Sequence, residues 1–271
     1  MEIKNVYGLF FSPTGNTEKV VRAIAGNLAS DRRYIDITLP QARESVQEFT
    51  ADDLVVVGSP VYAGRIPNKM LPYFQSMLKG NGALAVPVVT FGNRNFDNAL
   101  AELRDLLEVN GFHTIAGAAV PCQHAFTELL ATGRPDADDL HALENFADAI
   151  TKKTVQLAFA PSEAVSVPGD SPATKYYTPM GIDGTPAVFL KAKPEIDPDK
   201  CTGCGLCAEI CPMGSVEAGS LPKVSGICIK CQSCIEKCPA QAMSFSDERF
   251  LSHVAMLEHN YTDHTEIRLF L

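Results

Sequence analysis

No apolar run in this 271-residue chain approaches the roughly 20 residues a membrane span needs, and its first residues lack the basic flank and long apolar stretch of a secretory leader. Positive charge is scarce as well: 23 Lys and Arg stand against 32 Asp and Glu, a formal charge of −9. A dispersed acidic surface repels phosphate backbones, which removes nucleic acid as the default partner. These absences predict a cytoplasmic protein with no membrane partner. With 46% hydrophobic and 20% charged residues, wholesale disorder is excluded. Cysteine is nearly missing from most of the chain, where Cys122 stands alone, yet eight more fall between Cys201 and Cys238. Where thiols are kept reduced, such density points to metal rather than to disulfides.

Residues 1–160 alternate short β-type runs with amphipathic stretches. Strands are expected at 6–11, 34–38, 54–59, 84–91 and 114–120, and helices at 16–29, 68–78, 97–109 and 138–157. Apolar strands alternating with helices predict an α/β domain with a parallel sheet covered on both faces. Five strands suit the flavodoxin-like order 2-1-3-4-5. Over 161–194 the pattern stops, interrupted by prolines at 161, 168, 172, 179, 186 and 194 and by glycines at 169, 181 and 184. This excludes a regular helix and marks a connecting segment. Its apolar patch Ala187-Val188-Phe189-Leu190 predicts docking on a domain surface; a solvated linker is the other reading. Residues 195–247 form a small α+β unit. The tail 248–271 carries Phe250, Val254, Leu257, Tyr261, Leu269 and Phe270, enough to pack on a domain or on a second copy of the chain in a homodimer.

The small unit is a duplication. Cys201, Cys204, Cys207 and Cys211 recur at one constant offset as Cys228, Cys231, Cys234 and Cys238, and Pro212 recurs at the same offset as Pro239. Each half reads C-x2-C-x2-C-x3-C-P, the bacterial ferredoxin run, and thiolates are the soft ligands iron–sulfur clusters need. Three close cysteines wrap one cubane and the fourth reaches the other. That logic assigns Cys201, Cys204, Cys207 and Cys238 to a first [4Fe-4S] cluster, and Cys228, Cys231, Cys234 and Cys211 to a second. A pair of structural zinc sites would also use eight thiolates, but zinc does not call for this doubled spacing. Residues 195–248 hold eight acids and four lysines. With roughly −2 on each oxidised cage, added electrons are disfavoured and a low reduction potential is expected. The stretch 195–245 resembles the two-cluster bacterial ferredoxins.

After the first strand, Ser12-Pro13-Thr14-Gly15-Asn16-Thr17 opens directly into a helix. Hydroxyls and free backbone N–H groups at the positive end of a helix suit a phosphate. The loop is neither a Walker A motif nor G-x-G-x-x-G, and Ser and Thr there also serve as plain helix caps. The pattern resembles the phosphate loop of the flavodoxins, and that resemblance covers residues 3–158. It implies FMN, with its phosphate held by Ser12, Thr14, Gly15, Asn16 and Thr17.

The resemblance also places two flavin loops after strands three and four. The first is Ser59-Pro60-Val61-Tyr62-Ala63-Gly64, where Tyr62 would stack on the isoalloxazine ring. The second spans Gly92, Asn93, Asn95 and Phe96, with Asn93 reading the pyrimidine edge and Phe96 covering the ring. Arg65 and Arg94 either bias the flavin or are solvated. Cys122 is expected as a small core residue, and His124 either as a donor near the flavin or as a loop-surface residue.

Taken together, the chain resembles the flavodoxin–ferredoxin fusion proteins of anaerobic bacteria, the EFR-type ferrodoxin family. The resemblance implies an intracellular electron-transfer protein that passes electrons between two [4Fe-4S] clusters and FMN, and on to redox partner proteins, whether low-potential donors or acceptor reductases. No catalytic acid, base or nucleophile stands out. The alternative is a flavin-dependent reductase of a small substrate, fed by its own clusters. No second nucleotide-binding motif is visible for NAD(P)H.

Overall fold

The strands of the N-terminal domain pair in parallel because each is joined to the next by a crossover segment, and each crossover returns to the same end of the sheet. In the computed structural model, which describes residues 3–271, these are β1 (Asn5–Phe10), β2 (Arg32–Asp36), β3 (Asp53–Pro60), β4 (Leu84–Phe91) and β5 (Gly117–Pro121). They lie in the order 2-1-3-4-5. The helices are α1 (Asn16–Leu28), α2 (Leu71–Ser76), α3 (Ala99–Val109) and α4 (Ala137–Gln156).

Alternate strand residues feed two cores. Leu9, Val55, Val57, Ala85 and Val89 meet Phe74, Leu100 and Leu103 on one face. Val6, Val56, Val86 and Val88 meet Val20, Ile24, Phe146 and Ile150 on the other. Burial on both faces explains why these strands read as continuous apolar runs.

Two expected boundaries shift most. The strand expected at 114–120 is broken: His113–Thr114 pairs with the start of β4, and regular pairing resumes beyond Ala116. The helix expected at 68–78 contracts to Leu71–Ser76, capped by Met77, with Pro72 in its first turn, where a missing N–H costs nothing.

Residues 161–194 run across the first domain. The Val165 amide donates to Thr114 O, Tyr177 N donates to Ala63 O at 2.8 Å, and the Tyr176 hydroxyl donates to Ile66 O at 2.9 Å. The 187–190 patch docks only through alternate residues. Ala187 is buried and Phe189 packs on Phe250 and His253, whereas Val188 and Leu190 are 72% and 84% exposed.

In the cysteine-rich region, β6 (Glu195–Ile196) pairs antiparallel with β9 (Met243–Ser244), and β7 (Val216–Glu217) with β8 (Lys223–Val224). Between them lie the single turns α5 (Leu206–Glu209) and α6 (Ser233–Glu236). The duplication extends to the backbone: Gly203 and Gly205 have φ of 69° and 78°, and their counterparts in the second repeat, Lys230 and Gln232, have 58° and 67°. A non-glycine pair held there shows the fold imposing the conformation against its local cost.

The tail supplies α7 (Glu248–Asn260) and β10 (Arg268–Phe270), which pairs antiparallel with β5 and covers that sheet edge. Phe250, at the start of α7, is the seam of the molecule. It contacts Phe126 of the first domain (4.8 Å between ring centroids), Phe189 of the connector (5.4 Å) and Phe245 of the cysteine-rich region (4.3 Å). Among the described residues no helix is long and apolar enough to cross a membrane.

Candidate functional site

The carboxyl ends of β1, β3, β4 and β5 meet at the point where strand order reverses, the crevice in which open α/β sheets take ligands. A cavity of about 610 Å3 opens there. Thr14, Asn16 and Thr17 wall it from the first loop, Pro60, Val61, Tyr62, Ala63 and Gly64 from the second, and Gly92, Arg94 and Asn95 from the third.

At the phosphate end the donors are ready. The amides of Asn16 and Thr17 have no acceptor among the described residues, as the first turn of a helix requires, and neither has that of Thr14 in the loop before it. Gly15, at φ 96°, has nothing within 4 Å of where a Cβ would stand, so the space over the loop is open. Ser12 lies behind this surface: its Oγ accepts the Glu18 amide at 2.9 Å, and its own amide donates to Thr38 Oγ1. Thr17 Oγ1 shares a 2.7 Å hydrogen bond with Thr90 Oγ1. The loop is thus braced from below and free above, a cradle that fits a phosphate without a side-chain cation.

Tyr62 heads a tight turn in which Tyr62 and Arg65 exchange backbone hydrogen bonds, with Ala63 and Gly64 both at positive φ. A Cβ on Gly64 would lie 2.3 Å from Asp97 Oδ2. Burial pushes the Tyr62 phenol far above its ordinary value, so it stays protonated.

Three other expected contacts face elsewhere. Ser59 is fully buried, and its hydroxyl donates to Pro60 O. Phe96 packs into the core against Phe91. The Asn93 side-chain amide donates to Tyr261 O (2.6 Å) and Asp263 O (2.8 Å), tying down the tail. The two arginines have a role that neither expectation covered. Arg65 pairs with Glu102, donates to Thr174 O and lies 4.5 Å over the Tyr176 ring; Arg94 pairs with Asp97 and lies 3.9 Å over Tyr177. Both pin the connector across the cavity.

The sequence signalled that the 187–190 patch and the tail dock on a domain, but not that they cover this cavity. Tyr176, Tyr177, Pro179 and Phe189 come from the connector, and His253 and Leu257 from α7. They lie far along the chain from the flavin loops, so no local pattern places them over it. Cys122 is buried as expected, its thiol pushed upward by desolvation. His124 lines the cavity rather than the outer surface.

The eight remaining cysteines wall two hollows. Cys201, Cys204, Cys207 and Cys238 surround the first, together with Cys234; Cys211, Cys228, Cys231 and Cys234 surround the second. The fourth cysteine of each repeat therefore crosses to the other group. Equivalent amides point at equivalent sulfurs: Ser215 N donates to Cys211 Sγ at 3.3 Å, and Ala242 N to Cys238 Sγ at 3.4 Å. Among the described residues no three His, Cys, Asp or Glu side chains close on a single-ion site. Burial pushes the Cys231 and Cys234 thiols up to about 12, so an iron centre would have to supply the charge that ionises them. Soft donors, crossed sets and N–H···S contacts together fit two cubanes.

The two sites adjoin. Ile227, Cys228, Ile229, Lys230 and Cys231 line the large cavity as well as the second hollow. The first hollow shares no residue with the cavity, and Cys204 beside it is exposed.

Comparisons with known proteins find relatives for both parts of the chain. Residues 9–98 match the flavodoxin domain family, and residues 194–217 and 225–241 each match a 4Fe-4S binding domain family. Among curated proteins, the chain is 33% identical over 81 residues to UacF of Escherichia coli (strain K12), whose name describes it as an oxidoreductase. It is 28% identical over 91 residues to NAD(P)H-quinone oxidoreductase subunit I of Gloeobacter violaceus. These matches take in 27% and 29% of this chain, and only 12% and 44% of the relatives' own lengths. Among solved structures, a flavodoxin from the domain Archaea aligns over 56% of this chain and all of its own, at 15% identity and a TM-score of 0.41. From the family matches, the chain carries a flavodoxin domain, which implies a flavin, followed by 4Fe-4S binding domains with an eight-cysteine pattern.

Proposed function

We propose that this chain is an intracellular electron relay in which FMN and two [4Fe-4S] clusters share one polypeptide. The observation that carries the proposal is that Cys228 and Cys231 wall the same cavity as the flavin loops. When bound, the clusters supply single-electron steps and FMN accepts one or two electrons. Cys211, Cys228, Cys231 and Cys234 hold the nearer cluster, with Tyr62 beside them. Cys201, Cys204, Cys207 and Cys238 hold the farther one, and its exposed Cys204 edge is where an outside carrier comes within reach. Housing both centres in one chain replaces a diffusional search with a high effective concentration. The acidic surface favours a redox partner with a basic face, through salt-sensitive association.

A second reading rests on the connector and α7, whose Tyr176, Tyr177, Phe189, His253 and Leu257 wall the cavity together with the flavin loops. Flavin-dependent reduction of a small substrate would then be the outlet.

Anaerobic material should carry about 8 iron and 8 sulfide per chain with one FMN. A one-electron donor should bleach the flavin through the clusters. In Cys231→Ser, flavin should remain bound while its reduction by that donor slows at least tenfold. Equal flavin reduction in the variant would overturn the relay. Saturable turnover with a small organic acceptor would decide for the reductase.

A further inference from the structure

Asn93, the side chain expected at the flavin's pyrimidine edge, is occupied by the tail, which leaves open what meets that edge. The loop after β5 brings His124 directly against Gly92, the first residue of the loop after β4. A Cβ on Gly92 would lie 2.1 Å from His124 Cδ2, so only glycine leaves room for the ring. Whatever ligand edge rests on Gly92 therefore also meets His124.

The protonation of the ring follows from its contacts. Phe126 N donates to His124 Nδ1 at 3.0 Å, which places the neutral ring's proton on Nε2. Nε2 has no protein acceptor among the described residues, and His124 lines the cavity. The ring is held rigidly: His124 N donates to Leu130 O, and Thr127 N to His124 O. Thr127 Oγ1 also donates to Glu258 of α7, and the His124 ring packs on Phe126 at 5.0 Å. Desolvation, then the neighbouring His253 and Arg94, lowers its pKa to about 4, so at neutral pH it offers a hydrogen bond without a charge.

We infer that His124 is a flavin-positioning residue, whose Nε2–H donates to the electron-rich pyrimidine edge of the bound flavin in the place expected for Asn93. This rests on the flavin reading above. Such a donor strengthens as electron density builds at that edge, so it should tighten FMN binding and raise the flavin midpoint potential.

Two variants separate this role from a merely structural one. His124→Asn keeps an acceptor for the Phe126 amide, as an Asx turn does two residues on, but loses the distal donor. His124→Gln carries its amide donor near the position of Nε2. FMN titration into apoprotein, followed by quenching of flavin fluorescence, and anaerobic midpoint measurement would be run on all three proteins, with cluster absorbance as the control for folding. His124→Asn should bind FMN about three- to tenfold more weakly and show a lower midpoint potential, while His124→Gln stays near wild type. If wild type takes up flavin but His124→Asn matches it in both readouts, or both variants lose equally, the assignment to His124 falls alone. A wild-type protein that takes up no flavin overturns the underlying reading instead.

Discussion

The two halves of this molecule are held by different physics. The sheet domain buries Leu9, Val55, Val57, Val86, Val88, Ile24 and Phe74 completely or nearly so, in cores on both faces of the sheet. Burial of such side chains is worth roughly 1.5–3 kcal/mol each. The cysteine-rich region has almost nothing comparable: Val216, Ala242 and Met243 are its buried aliphatic side chains, its strands are two residues long and its helices are single turns. With so little apolar burial, the stability of such a unit is expected to come from what its thiolates ligate. The comparison teaches that the two halves do not draw on apolar burial to the same degree.

Removing iron should break the molecule along this line. Chelation under air-free conditions should abolish amide-exchange protection across residues 195–247 and leave β1, β3 and β4 protected. FMN should still bind at the Thr14–Thr17 loop. Protection surviving in both halves would contradict the contrast.

The seam gives a smaller effect. Phe250 is 4% exposed and touches aromatic rings from three parts of the chain. Phe250→Ala should cost about 3–5 kcal/mol in urea denaturation of the holoprotein. It should also slow cluster-to-flavin transfer, because the joint that seats the second cluster on the cavity loosens. An unchanged transfer rate would mean that the two halves are registered elsewhere.

Smallest is the effect of acid on the cavity. The His124 pKa is lowered in the folded state, chiefly by desolvation, to about 4 from an ordinary 6.5, and His253 is lowered for the same reason. A depressed folded value means the unfolded chain binds the proton first. Stability is therefore complete above pH 6.5 and declines as the pH falls toward 4. For His124 the loss by pH 5 is on the order of 2 kcal/mol. His124→Asn should flatten that part of the stability profile, with the facing His253 left to account for what slope remains. A profile of wild-type steepness in the variant would show that the imidazole is not buried neutral.

The sequence was most legible where chemistry demands strict spacing or strands demand apolar runs. The doubled cysteine repeat foretells which thiols gather around each hollow, because a cubane accepts few arrangements of chain around it. The strand β4 was readable to the residue, since Leu84–Phe91 is buried at every position. The loop Ser12–Thr17 was legible as a turn that leaves amides free ahead of a helix, although Ser12 turned out to brace that helix. The directions taken by Asn93 and Phe96 were not legible for one reason: a loop's side chains turn according to what packs behind or beside them. For Phe96 that is the core around Phe91, and for Asn93 it is the tail at Tyr261 and Asp263. The β10 strand was missed because so short a run carries no periodic signal, and its pairing comes only from the open edge of β5.

Composition and spacing alone therefore determined the parallel sheet, the open-amide loop ahead of α1 and the grouping of the eight cysteines, because each follows from interactions near in sequence or from a ligand's stoichiometry. Only the tertiary structure decided that the second thiolate group, not the first, adjoins the cavity, that the connector and α7 cover it, and that His124 rather than Asn93 faces its interior. Those outcomes depend on packing between segments far apart along the chain, where the energy of a contact belongs to a pair of surfaces and leaves no mark on either stretch of sequence by itself.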